Sequence, residues 1–165
     1  MKSYLSNRLQ YVKLEDISSD LMPLTVGVPQ GSILGPLLFI IYINDLVHAT
    51  DRFYPVIYAD DSTLMATLNS FGETDLESSI NNELSKVSNW LNLNKLSLNT
   101  TKTKAMIFHT AQREVCKPHL KMENHTIEFV ENFNLLGIVI DSKLKGGQHI
   151  DIIGKKICKD LGHYK

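Results

Sequence analysis

PVIYADDSTLMAT, residues 55–67, sets two apolar runs on either side of a pair of adjacent carboxylates, Asp60 and Asp61. The runs Pro55–Asp60 and Ser62–Thr67 read as the arms of a β-hairpin with acidic residues at its tip. Like charges held side by side repel, and burial between apolar strands raises the cost of ionising them. A hard divalent cation with oxygen ligands would relieve that repulsion. Mg²⁺ needs only one or two carboxylates, with water and substrate phosphates completing its octahedron. Taken alone, Asp-Asp also reads as the start of a solvated turn.

Upstream lies GVPQGSILGPLLFIIYINDL, residues 27–46. Gly27–Gly31 is a Gly/Pro loop. Glycines let backbone come close to a ligand, and free N–H groups where a loop enters a helix suit a phosphate or a base edge. Ser32–Leu46 is nearly all apolar, and its length predicts a buried helix with Ser32 as N-cap and Pro36 in the first turn. A loop that merely caps a core helix fits these residues as well.

Further out, Lys2–Leu9 reads as the end of a helix. Gln10–Leu14 and Leu21–Val26 read as strands joined by the polar turn Glu15–Asp20. Thr74–Leu91 is the clearest helix: Thr74 and Glu77 form a capping box. Leu76, Ile80, Leu84, Val87 and Leu91 make one apolar face, with Trp90 beside it. Lys104–His109, Thr126–Val130 and Leu135–Asp141 read as strands, Val115–Asn124 has mixed polarity, and His149–Tyr164 begins another helix. Strands and helices mixed along the chain predict an α+β class.

The 165 residues are 43% apolar, enough for one domain with a core. Cys116 and Cys158 stand far apart with no metal-site spacing, which suits a reducing, intracellular location; nothing decides between nucleus and cytoplasm. The N-terminal residues are too polar for a signal peptide, and the longest apolar run, Ile33–Ile43, is too short to span a bilayer, so no membrane partner is expected. None of the six histidines, including His163, has metal-ligand spacing. Residues 1–82 carry 4 basic and 10 acidic side chains, and residues 83–165 carry 13 and 8. That asymmetry is consistent with an acidic site beside a basic nucleic-acid track, and equally with ordinary surface variation.

The two central segments, in this order and spacing, resemble the palm motifs of reverse transcriptases, in the variant carried by jockey-like non-LTR retrotransposons. The resemblance is collinear. SYLSNRLQYVKL (3–14) is similar to the segment before the Gly-Pro-Gln-Gly-type loop. WLNLNKLSLNTTKTKAMIF (90–108) is similar to the Asn-x-x-Lys-Thr motif, FNLLGIVIDSKL (133–144) to the primer-grip strand pair, and HIDIIGKKICKDLG (149–162) to the start of the thumb. The resemblance implies a partial palm over 1–148, an antiparallel sheet with helices on one face, and a thumb beginning at 149–165.

It also implies roles. Asp60 is a metal-ligating carboxylate and Asp61 its less direct partner; Tyr58 and Ala59 share the turn beside the primer end. Gln30 and Gly31 meet the template base and incoming nucleotide. Lys102 lies near the departing pyrophosphate, and Leu136 and Gly137 fall in the primer grip. Read bare, Lys102 is a solvated lysine, and Leu136-Gly137 is a strand with a bulge. The partners implied are an RNA template, a DNA primer and deoxynucleotide triphosphates. The cofactor implied is Mg²⁺ or Mn²⁺.

Two-metal nucleotidyl transfer draws carboxylates from two places. The second, an Asp on a neighbouring palm strand, is expected upstream of Met1, as are the fingers. Asp16, Asp20 and Asp45 do not sit in a short apolar strand followed by a helix and do not replace it. The expectation is half a metal site, and a chain inactive by itself as an RNA-directed DNA polymerase. Two other readings stay open: a remnant that binds nucleic acid or a full-length polymerase without chemistry, and a translated fragment with no function.

Overall fold

The computed structural model describes residues 2–71, 75–110, 112 and 115–162. A short helix α1 (Lys2–Leu5) ends where Asn7 turns left-handed (φ 54°), so the expected helix to Leu9 gives way to a strand, β1 (Arg8–Gln10). β1 pairs antiparallel with β4 (Met22–Leu24), and inside that ladder β2 (Lys13–Leu14) pairs with β3 (Ile17–Ser18). The expected polar turn over Glu15–Asp20 shrinks to Glu15-Asp16. The reason is Ser19: its N–H donates to the Val12 carbonyl at 2.9 Å, while its Oγ accepts from the Val12 N–H at 2.9 Å. Polar side chains that bond across a ladder behave as strand residues.

Helix α2 (Leu34–Ile43) follows the Gly27–Gly31 loop and continues into a 3-10 turn at Asn44–His48. It starts after Ile33, one residue later than a Ser32 N-cap would give. Ser32 Oγ still accepts the Gly35 N–H at 3.1 Å, satisfying one open donor of the first turn. Its apolar residues are not buried as the sequence predicts. Only Gly35 and Ile43 are; Leu37, Ile40, Ile41 and Tyr42 are exposed. A helix apolar all round wants cover on every side, and the described residues supply it on one.

β5 (Tyr54–Tyr58) and β6 (Asp61–Met65) pair through a two-residue connection, Ala59-Asp60, so the acidic hairpin forms where it is expected. Helix α3 (Leu76–Leu93) places Ile80, Leu84 and Val87 in the core, as its periodicity requires. Thr74 of the expected capping box lies outside the described residues. The observed N-cap is Asp75, whose carboxylate accepts from the Ser78 N–H at 3.2 Å.

Beyond α3, β7 (Lys104–Ala105) is shorter than the expected Lys104–His109. It pairs in parallel with β10 (Glu128–Phe129), and Lys104 meets Glu128 at 2.6 Å. β8 (Lys121–Met122) and β9 (His125–Thr126) form a small hairpin. β11 (Asn132–Leu135) and β12 (Ile138–Asp141) form another, so the strand expected over Leu135–Asp141 is broken by a turn at Leu136-Gly137. Leu136 (φ 51°) and Gly137 (φ 86°) both take positive φ, the geometry of a type I′ hairpin, which excludes a bulge within one strand. Helix α4 (Gly147–Gly162) closes the described chain; Tyr164 and His163 lie outside the described residues. Cys116 and Cys158 are free and exposed.

The class is α+β. The expected single antiparallel sheet is replaced, among the described residues, by six separate two-stranded ladders, one of them parallel. The chain forms two compact units: Met1–Asp45 with Val56–Thr63, and Leu46–Pro55 with Leu64–Lys165. The core is in the second, built from Leu46, Ile80, Leu84, Val87, Leu120, Met122 and Ile127. Among the described residues no helix is long and apolar enough to cross a membrane.

One buried charge fixes the stretch between the 3-10 turn and β5. Glu83, 3% exposed, lies on the apolar face of α3 between Ile80 and Val87. Its carboxylate accepts from Thr50 Oγ1 (2.6 Å), Asp51 N (2.9 Å), Arg52 N (3.3 Å) and Lys86 Nζ (2.7 Å). Burial pushes its pKa up, but the bonds from Lys86, Thr50 and the Asp51 amide outweigh burial and hold it down at about 2. Three of these bonds fall on Oε2 and one on Oε1, and a buried ion costs less when both its oxygens are bonded. The segment so fixed, Thr50–Arg52, leads directly into β5.

A depressed carboxyl pKa gives stability that is complete above its unfolded value, 4.5, and is lost as pH falls towards 2. Glu83→Gln is expected to cost about 1–3 kcal/mol at pH 7. Urea midpoints of wild type and variant should converge between pH 5 and about 2; a gap independent of pH would contradict the assignment. Gly137→Ala, which forces a Cβ into a left-handed turn, should cost about 1–2 kcal/mol in the same assay.

Candidate active site

The acidic hairpin tip is built by its turn. Ala59 is held at φ 51°, a left-handed conformation that a side chain rarely adopts. The turn places Asp60 in the connection and Asp61 at the first position of β6, with Tyr58 closing β5. All four residues are exposed. Among the described residues no third carboxylate, histidine or cysteine joins them in a metal-holding cluster. Two adjacent, solvent-facing carboxylates therefore fit part of the oxygen shell of a hard divalent ion and leave the rest open.

Gln30 and Gly31 lie in the same compact unit, in the loop ahead of α2. Gly27 (φ 75°) and Gly31 (φ 76°) bound the loop, and each conformation demands glycine. A Cβ added at either would meet nothing within 4 Å, so open space surrounds the backbone there. Gln30 is exposed, while Val28 and Pro29 are half-buried.

The other predicted residues belong to the second unit. Lys102 sits on a tight turn organised by Asn99. The Asn99 carboxamide oxygen accepts from Thr101 Oγ1 (2.8 Å) and from the Lys102 N–H (3.2 Å). Its backbone carbonyl accepts from Thr103 Oγ1 (2.9 Å) and Thr103 N (3.1 Å). The Asn and Thr of the Asn-x-x-Lys-Thr pattern are thus the two ends of the turn that displays the lysine. Lys102 is exposed and forms no ion pair among the described residues, whereas Lys86, Lys104 and Lys117 each do.

Leu136 and Gly137 are the exposed tip of the β11–β12 hairpin. The hairpin is braced at its base. Glu131 takes Lys117 Nζ at 2.8 Å and Ser142 Oγ at 2.7 Å, which together hold its carboxyl down at about 2. Asp141 accepts the N–H groups of Gly146 (2.7 Å), Lys145 (3.1 Å) and Lys143 (3.0 Å), fixing the passage into α4 and lowering its pKa.

Three groups escape a reading of the sequence. Glu83 could have been found as an acid at a core position of α3. Asn99 was visible inside its motif, without its role. Tyr4 and Arg8, which bond the Gly27–Ser32 region, carried no signal beyond their segment.

The sequence profile of the family described as "Reverse transcriptase (RNA-dependent DNA polymerase)" matches residues 1–140. The chain is 28% identical over 157 residues, 91% of its length, to "RNA-directed DNA polymerase from mobile element jockey" of Drosophila melanogaster. It is 28% identical over 169 residues, 99% of its length, to "Probable RNA-directed DNA polymerase from transposon X-element" of the same species. A third relative, 26% identical over 145 residues, is "Retrovirus-related Pol polyprotein from type-1 retrotransposable element R1 2" of Nasonia vitripennis. The chain spans 17% of the jockey protein and 18% of the X-element protein. No solved structure matches the chain. Because the family profile covers residues 1–140, well over half of the chain and all of the loop, the acidic hairpin tip and the lysine turn, the chain belongs to the reverse transcriptase (RNA-dependent DNA polymerase) family.

Proposed function

We propose that this chain is the carboxyl-side part of a reverse-transcriptase palm and supplies one of the two carboxylate sources of an RNA-directed DNA polymerase. The observation that carries the reading is the hairpin tip, where a strained Ala59 turn presents Asp60 and Asp61 to solvent as adjacent oxygen ligands. A non-glycine residue in a left-handed turn costs about 1–2 kcal/mol, and such strain collects at functional sites.

Each residue then has a role. Asp60 and Asp61 would hold Mg²⁺ or Mn²⁺, and such ions supply charge stabilisation at the transferring phosphate and a more acidic primer hydroxyl. Tyr58 and Ala59 flank the primer end. Gln30 and Gly31 meet the template base and the incoming deoxynucleotide triphosphate, with exposed loop backbone able to approach closely. Lys102, without an ion pair among the described residues and raised on its Asn99 turn, neutralises the leaving pyrophosphate as a point charge. Leu136 and Gly137 grip the primer backbone. Residues 1–148 belong to the palm, and the thumb opens at 149–165, which takes in all of α4 after its first two residues.

The second carboxylate source, a palm strand outside these residues, would add to the two-stranded ladders and cover the exposed side of α2. On this reading the isolated chain does no chemistry. The excess of basic residues beyond position 82 favours retained binding of primer–template duplex, with affinity falling steeply as salt rises.

Primer extension tests the assignment. The purified chain with Mg²⁺, an RNA template and a DNA primer is expected to add no nucleotide. A polymerase fragment that also contains the upstream palm strand is expected to extend the primer, and Asp60→Asn in that fragment should return it to background. Extension by the isolated chain, or undiminished extension by the Asp60→Asn fragment, would contradict the reading.

A further inference from the structure

We propose that Tyr4 and Arg8 are positioning residues that hold the two ends of the Gly27–Gly31 loop and so set how Gln30 and Gly31 are presented. The inference rests on the template and nucleotide role proposed for that loop, and concerns side chains to which that role assigns nothing.

The loop cannot hold itself. Gly27 and Gly31 sit in open space, with nothing within 4 Å of an added Cβ, and Gln30 is exposed. Packing therefore does not fix the backbone at Gly27, Gly31 or the exposed Gln30, although Val28 and Pro29 are half-buried, and glycine gives the loop ends the widest choice of conformations. Order has to come from outside, and the N-terminal segment provides it at both ends.

At the first end, Arg8 Nη2 donates to the Gly27 carbonyl at 2.5 Å and to the Val26 carbonyl at 3.3 Å. Register makes this possible: Arg8 on β1 stands opposite Leu24 on β4, two and three residues before the acceptors. The Nε and Nη1 donors of Arg8 are buried with no acceptor among the described residues. The carbonyls of Val26 and Gly27 are then the guanidinium's partners among the described residues. Moving the loop away would strand a partly buried cation, and that opposes opening.

At the second end the bonds form a relay through one hydroxyl. Ser32 Oγ donates to the Pro29 carbonyl at 2.7 Å and accepts the Gly35 N–H at 3.1 Å. Since its one proton goes to Pro29, the 2.5 Å contact with Tyr4 Oη has Tyr4 as donor. Tyr4 thereby orients Ser32, and Ser32 pins Pro29, the residue before Gln30. Gly35 is required beneath this relay, because a Cβ there would lie 2.9 Å from Ser32 Oγ.

The test uses the full 165-residue chain and ¹⁵N relaxation, with primer–template affinity at low salt alongside. In Arg8→Gln and in Tyr4→Phe, order parameters of Val28, Gln30 and Gly31 should drop below about 0.6. Those of the β11–β12 hairpin should stay unchanged. Primer–template affinity should fall about tenfold or more, by the loss of preorganisation. Arg8→Lys, which keeps a donor, should restore part of both. Tyr4→Phe removes a single hydroxyl and decides the matter if Arg8→Gln fails to fold. Unchanged loop order in a folded variant would overturn the proposal. Absence of primer–template binding by the wild type would count against the polymerase reading instead, with relaxation still deciding the clamp.

Discussion

The segment that leads into β5 is arranged around a charge that has been taken out of water. Glu83 stands where a leucine would be expected on α3, and its carboxylate gathers a hydroxyl, two backbone amides and an ammonium. An uncompensated carboxylate at that depth would cost several kcal/mol. Four donors offset that cost and convert it into a geometric demand: Thr50, Asp51 and Arg52 must all reach one oxygen, Oε2, while Lys86 takes Oε1. The chain entering β5 is therefore positioned by polar contacts with one helix. Lys86 completes the arrangement by bridging Glu83 and Asp51, each at 2.7 Å.

The first unit obeys a different rule. It buries almost nothing, and its order comes from backbone ladders and from side chains that bond carbonyls and hydroxyls. The exposed leucines and isoleucines of α2 have the composition of a core without its surroundings. Loops that must admit a nucleic acid gain from such construction, because polar tethers fix a backbone without filling the space beside it. The glycine loop between Val26 and Ser32 is open at Gly27 and Gly31 and tied at its ends.

Much of this was legible in the residues, and the exceptions share a cause. α3 could be read from its apolar period, and the hairpin over 55–67 from two apolar runs meeting at Asp60-Asp61, because both signals are local. The nested ladder around Glu15-Asp16 could not, since it depends on Ser19 bonding Val12 seven residues away. The burial of α2 was misjudged because apolar composition reports a need for cover and not its presence. The turn at Leu136-Gly137 was hidden because Leu136 takes a positive φ that its side chain disfavours. The motif residues of the site were visible through resemblance, whereas their supports were not: Glu83, Asn99, Tyr4 and Arg8 act through contacts that no spacing rule encodes. The catalytic assignments of Asp60, Asp61, Lys102, Gln30 and the Leu136-Gly137 tip remain proposals built on that scaffold.

The central claim is that the hairpin tip is a competent half of a divalent-metal site. The most direct measurement is a titration of the chain with Mg²⁺ alone, following the side-chain carboxyl ¹³C signals of its aspartates by NMR. The account predicts saturable shifts at Asp60 and Asp61, with the exposed Asp16, Asp20 and Asp45 unmoved. Shifts of equal size at these five of its aspartates, or none that saturate, would show that the tip is a solvated turn and would contradict it.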